Sequence, residues 1–183
     1  MAVRTVKGII LGIVSSIVIF ILIMTWFYPY SFFSVHKSVS YKPDPVVINE
    51  YVKDLKEFKD TYNKSLAKDR SQNILTLYEQ DWLVEKDPIK MNENEIDSIL
   101  FKVNEAKNNS LKLIVQNDYT SEQRQYLVDV IKNLLSLEDL FLDIKNNKFE
   151  TRSTLSTEFH NLQQDFINSF NLFKTFCEVS QSK

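Results

Sequence analysis

Residues 8–28 read GIILGIVSSIVIFILIMTWFY, an apolar run without a charged side chain. As a helix rising ~1.5 Å per residue it is about 31 Å long, the thickness of a bilayer's hydrocarbon core. Backbone polar groups find no partner in lipid, so a spanning segment of this kind closes its hydrogen bonds internally as a helix. Everything after it is expected to be tethered to a membrane surface.

The run is longer than the apolar stretch of a secretory signal, and no A-x-A-like cleavage site follows it. The nearest small-x-small pair, Ser38 and Ser40, lies well past the run. A retained signal anchor is therefore expected, with residues 1–7 as a short cytoplasmic tail. Arg4 and Lys7 precede the run, while Lys37 and Lys42 follow it. Counted with the α-amino group, the positive-inside rule places the N-terminus in the cytoplasm and the rest outside, in a single pass of the cell membrane. The excess is one charge, and the inverted placement is the alternative.

Trp26, Phe27, Tyr28, Tyr30, Phe32 and Phe33 crowd the end of the run. Amphipathic rings favour the headgroup layer, so these six are the expected membrane-interface residues and the lipid bilayer the first expected partner. The chain's two glycines, Gly8 and Gly12, precede Ser16 at four-residue steps. Such a small-residue face lets helix backbones approach closely and is the candidate surface for a homodimer through the spanning helix.

Beyond position 28 there is no glycine, and proline occurs only at 29, 43, 45 and 88. Hairpins, bulges and left-handed caps lean on glycine, so its absence argues for an all-α domain. All 24 acidic residues lie in this part against 20 Lys and Arg, interleaved along the chain, for a net charge of −4. No basic stripe is present to neutralise phosphates, and nucleic acid is not an expected partner. The weight of Asn, Lys and Ile is the codon signature of an AT-rich bacterial genome, which makes a bacterial envelope the expected setting.

Residues 29–46 read as a juxtamembrane aromatic and proline linker, and 47–183 as the helical domain. A first helix is expected from Val46 or Ile48, with Ile48, Tyr51, Val52, Leu55, Phe58, Tyr62 and Leu66 on one face. The pattern breaks at Lys68-Asp69-Arg70-Ser71, where Asp69 with Gln72 could form a capping box; a kink and a separate helix over 69–87 are both open. Asn92 with Glu95 and Thr120 with Gln123 are two further capping boxes that open helices. Behind Asn92, Ile96, Ile99, Leu100, Val103, Ala106, Ser110 and Ile114 form one stripe. Behind Thr120, Leu127, Val130, Ile131, Leu134, Leu137, Phe141 and Ile144 form another. Val128, Leu135 and Leu142 add a second strip there, which makes this the expected central helix.

After Asn146-Asn147 the last helix carries Leu155, Phe159, Leu162, Phe166, Phe170, Phe173 and Cys177 at steps of three and four. These positions span about 80° of a helix surface, the width of a core-facing stripe. Short connections between such helices give an antiparallel, up-and-down bundle of about four helices.

The sequence offers little chemistry. His36 and His160 belong to no metal-binding spacing, and no metal or cofactor site is expected. Carboxylates cluster at Asp54/Glu57, Asp81/Glu85, Glu93/Glu95/Asp97 and Glu138/Asp139/Asp143, flanked by lysines as on a solvated face. No catalytic set satisfies the demand for a nucleophile, base and orienting group, so the chain is not expected to be an enzyme. Cys177 is expected as a small buried core residue, an intermolecular disulfide being the alternative. The expected role is a non-enzymatic interaction or scaffold module that engages another envelope or membrane protein. Leu75, Tyr78 and Trp82, off the first helix's stripe, are its candidate partner surface. The alternative is a membrane-tethered sensory or small-ligand-binding bundle that signals through a partner protein.

Overall fold

The computed structural model describes residues 2–66, 71–116 and 119–181. The protein is predominantly helical. Helix α1 spans Ala2–Phe27 and includes Val6–Phe27, the one described segment long and apolar enough to cross a membrane. It is followed by a short strand β1 (Ser38–Tyr41), then α2 (Pro45–Leu66), α3 (Ser71–Tyr78), the single turn α4 (Asp81–Val84), a second strand β2 (Ile89–Asn92), and three long helices, α5 (Glu93–Gln116), α6 (Ser121–Asn146) and α7 (Arg152–Gln181).

Helix starts follow local chemistry. Asp44 Oδ1 accepts the Val46 N–H at 2.8 Å, and Pro45 takes the first helical position, where its missing N–H costs nothing. Asn92 Oδ1 accepts from the backbone of both Asn94 and Glu95 and opens α5. Thr120 and Gln123 form a reciprocal capping box at α6, as expected. Asp69, the third proposed cap, lies outside the described residues. No described residue has a positive φ; even the α6 C-cap, Asn147, turns at φ −80°. Among the described residues, the turn from α6 into α7 is thus made without a left-handed residue.

Helices α5, α6 and α7 pack in sequence and alternate in direction. Asp97 pairs with Lys145, and Asn104 and Lys107 with Glu138, so positions descend along α6 as they rise along α5. Gln123 likewise bonds the Val179 carbonyl at 3.1 Å, while Phe141 meets Phe166. Every member of the α7 stripe from Leu155 to Cys177 is buried. Helix α6 lies between α5 and α7 and so has neighbours on two sides, as expected, but Leu135 and Leu142 of its second strip are exposed, and α7 meets more elements, namely α2, α3, α6 and β1.

The core is built from rings. Phe170 receives Tyr51, Phe58 and Tyr78 edge-on, each at 5.5 Å between centroids, and Trp82 meets Phe166 at 4.9 Å. Each such pair adds about 0.5–1.5 kcal/mol beyond the area it buries.

Of the stretch 69–87, residues 69 and 70 lie outside the described residues, and the rest carries helices separate from α2. Two separate short helices, α3 and α4, occupy most of that stretch, and the Gln80 side chain closes α3 by donating to the Leu77 carbonyl at 2.8 Å. This new phase turns Leu75, Tyr78 and Trp82 inward, where they are 1%, 0% and 4% exposed. They are core residues and offer no surface to a partner.

The stretch 29–46 is also more than a linker. Strand β1 pairs antiparallel with β2 in the register Val39↔Met91 and Tyr41↔Ile89. Val39, Tyr41 and Met91 point inward, while Ser40 and Lys90 point out, the period-two alternation of a half-buried ribbon. The Tyr41 hydroxyl donates to Gln163 Oε1 at 2.6 Å, and its ring lies against Phe159 and His160, which fixes the ribbon to α7.

Candidate functional site

The most distinctive arrangement is the junction where α1 meets the helical domain. A helix ends with carbonyls that have no intrahelical donor and with the negative pole of its dipole. Arg152, the first residue of α7, occupies that end of α1. Its Nε donates to the Trp26 carbonyl at 2.9 Å and one terminal nitrogen to the Thr25 carbonyl at 3.3 Å. The other terminal nitrogen reaches the Ser38 carbonyl of β1 at 3.4 Å. The guanidinium therefore ties three elements together.

Tyr30 makes the second tie. Its hydroxyl donates to the Met91 carbonyl at 2.8 Å, and its ring is 1% exposed. Burial first, and Glu93 second, push the phenol well above its ordinary range against the opposing pull of Arg152, so it stays a neutral donor. The Val35 N–H adds a bond to Thr25 Oγ1 at 3.1 Å. Lys37 and Lys148 both reach Glu93, which joins the start of α5 to the turn between α6 and α7.

Of the six rings expected at a membrane interface, Trp26, Phe27, Phe32 and Phe33 are exposed. Phe33 also packs edge-on against Phe20 of α1 at 5.3 Å. Tyr28 is half-buried. Tyr30 departs from the expectation, because its hydroxyl finds a backbone carbonyl inside the domain and the ring follows it into the core. Gly8 and Gly12 lie open along α1, and a Cβ at either would meet nothing within 4 Å. Ser16 Oγ bonds back to the Gly12 carbonyl at 3.0 Å, so this face presents no unsatisfied hydroxyl.

Among the described residues, no group of three or more His, Cys, Asp and Glu side chains is placed to hold a metal ion. A cleft of about 420 Å³ opens between α4, β2 and α5, lined by Trp82, Glu85, Lys90, Glu95, Ser98 and Lys102. Its mixed charge selects no ligand class. A second polar depression, between the end of α6 and the start of α7, gathers Asp143, Glu150 and Glu158. Burial and the two neighbouring carboxylates raise the pKa of Glu158.

Sequence reasoning missed Arg152 and Tyr30 as junction residues. The only available signal for Arg152 was a cation at the head of a helix, where the dipole disfavours it and a further anionic or carbonyl partner is called for. Comparison with known proteins finds no matching family model, no matching curated relative and no matching solved structure.

Proposed function

We propose that the chain is a single-pass membrane-anchored protein whose helical domain, an antiparallel up-and-down bundle, serves as a non-enzymatic interaction module at the cell envelope. One observation carries this reading. Helix α1 has a mean hydropathy of 2.7 over its spanning window and leaves its apolar side chains uncovered, Leu11 at 70% exposure among them. A soluble fold does not leave so long an apolar helix in water, whereas a bilayer covers it completely. Arg4 and Lys7 favour a cytoplasmic N-terminus and an extracytoplasmic domain. Exposed Phe101, Leu111 and Val115 fall on one side of α5 and support a role in contacts with another envelope protein. The open Gly8-Gly12-Ser16 face supports self-association within the membrane.

The test is protease accessibility of a C-terminal tag in intact cells, with lysed cells as control. Cleavage in intact cells fits the proposed orientation, and protection until lysis overturns it. Recovery of the full chain in the soluble fraction would overturn the anchor itself.

A sensory reading draws support from the Arg152 junction, because a ligand-induced shift of α7 would pull directly on the end of α1. A small molecule copurifying with the domain would favour it over the scaffold reading.

A further inference from the structure

The exposed apolar side chains nearest α1 are not all on α1. Phe149, in the turn between α6 and α7, is 63% exposed, as conspicuous as Phe32 at 72%. It precedes Arg152 by three residues, and three residues span at most about 11 Å of chain. Arg152 itself is bonded to the last turn of α1, so Phe149 is held close to the point where the apolar helix ends. The turn that carries it is well defined. Asn147 Oδ1 accepts the Phe149 N–H at 3.2 Å, and Asn147 Nδ2 donates to Glu150 at 2.6 Å. Lys148, beside it, is fixed to Glu93, which also meets Lys37.

This end of the domain therefore combines apolar tips (Phe32, Phe33, Val35, Phe149) with Lys37, Lys148 and Arg152, set against Glu93 and Glu150. Aromatic tips suit the headgroup layer of a bilayer, where rings sit at the apolar boundary. A protein partner would require a cavity for Phe149, whereas the membrane that α1 enters is already adjacent. We infer that the α6–α7 turn is a second membrane contact: Phe149 inserts into the headgroup layer of the same leaflet that α1 exits, and the Arg152 junction holds the domain end-on to the bilayer. The inference rests on α1 spanning a membrane.

Three single-cysteine variants of the full chain test it, each in a Cys177→Ala background and each carrying an environment-sensitive fluorophore: Phe149→Cys, Phe32→Cys and Val115→Cys. All three sites are exposed, so the labels spare the core. Val115 lies near the opposite end of α5 from Glu93, about 33 Å along the helix axis. The proteins are reconstituted in phosphatidylcholine–phosphatidylglycerol vesicles, with and without phosphatidylcholine spin-labelled near the glycerol backbone. Strong loss of fluorescence at 149 and 32, with none at 115, is expected. Quenching at 32 without quenching at 149 overturns the second contact and leaves the anchor standing. Equal quenching at 149 and 115 overturns the end-on arrangement. Absence of quenching at 32 and 149 alike removes the membrane reading and the inference with it.

Discussion

The guanidinium carbon of Arg152 stands 5.9 Å from the centroid of the Trp26 ring while its nitrogens hold the Thr25 and Trp26 carbonyls. One side chain thus places a cation on the negative pole of α1, satisfies two terminal carbonyls and covers an aromatic face. Its backbone is the first turn of α7, the helix on which most of the core is assembled. The end of α1 is thus bonded directly to α7 and, through Ser38, to β1.

Replacing Arg152 with Ala should free this joint. Amide exchange across residues 28–37 in detergent micelles should accelerate, with a stability loss of about 1–2 kcal/mol for the charged hydrogen bonds removed. Arg152→Lys keeps the charge but not the planar fork, and should restore only part of the protection. Unchanged exchange in Arg152→Ala would show that Tyr30 and the ribbon hold the joint alone.

Tyr78 separates a core role from a partner-binding one. Its ring touches Phe170 and Phe173, its hydroxyl meets Ser169 Oγ at 2.9 Å, and its carbonyl accepts from Tyr51 at 2.7 Å. Tyr78→Ala should cost about 3–5 kcal/mol in chemical denaturation, as large aromatic truncations in cores do. Tyr78→Phe should cost about 1–2 kcal/mol by orphaning Ser169, and adding Ser169→Ala should recover part of that. A Tyr78→Ala variant of full stability would return this residue to the surface.

Where burial follows one helix's own periodicity, the fold was legible. The stripes behind Asn92, Thr120 and Asn146-Asn147 each lie on a continuous helix, so spacing alone found Ile96 through Ser110, Leu127 through Ile144 and Leu155 through Cys177, although at the end of α5 it is Leu113 that is buried and Ile114 only half-buried. Spacing failed where the chain changes helix. Leu75, Tyr78 and Trp82 looked outward only when measured against the phase of α2, which does not persist into α3 and α4. The ribbon was hidden for a different reason. Four residues at 38–41 pair with four at 89–92, and a strand that short gains its identity from a partner far away in sequence. Tyr30 shows the limit for the junction: a ring that ends a membrane helix and a ring that enters a core have the same composition, and only the Met91 carbonyl decides between them.

Cys177 is 4% exposed at the end of the α7 stripe. A maleimide should therefore label it slowly in the folded protein and completely in denaturant, since only an accessible thiolate reacts readily. Prompt labelling under native conditions, or a reducible dimer on gels, would favour the intermolecular disulfide over the core role.

Two glutamates on adjoining helices should respond to the same substitution with opposite signs. Glu138 accepts from Lys107 and from Asn104 at 3.1 Å, and these hydrogen bonds, Lys107 first, hold its pKa below the ordinary 4.5. A depressed carboxylate contributes stability above its unfolded pKa and loses it as pH falls through the folded value. Glu138→Gln should accordingly cost about 1 kcal/mol at pH 7, with the difference shrinking in acid. Glu158 is the reverse case. Burial, then Glu150 and Asp143, raise its pKa above 4.5, and its Oε2 is buried without a hydrogen-bond partner among the described residues. The folded state then binds a proton more readily than the unfolded one, so Glu158 destabilises the protein above its raised pKa and this cost fades as pH falls toward 4.5. Glu158→Gln should stabilise the domain at pH 7 by less than about 1 kcal/mol, because the side chain as a whole is only half-buried and solvent screens it, and the gain should vanish near pH 4. Denaturation of both variants at the two pH values decides it. A destabilising Glu158→Gln at pH 7 would mean that its carboxylate is held by a partner cation and that the acidic depression is not a site of repulsion.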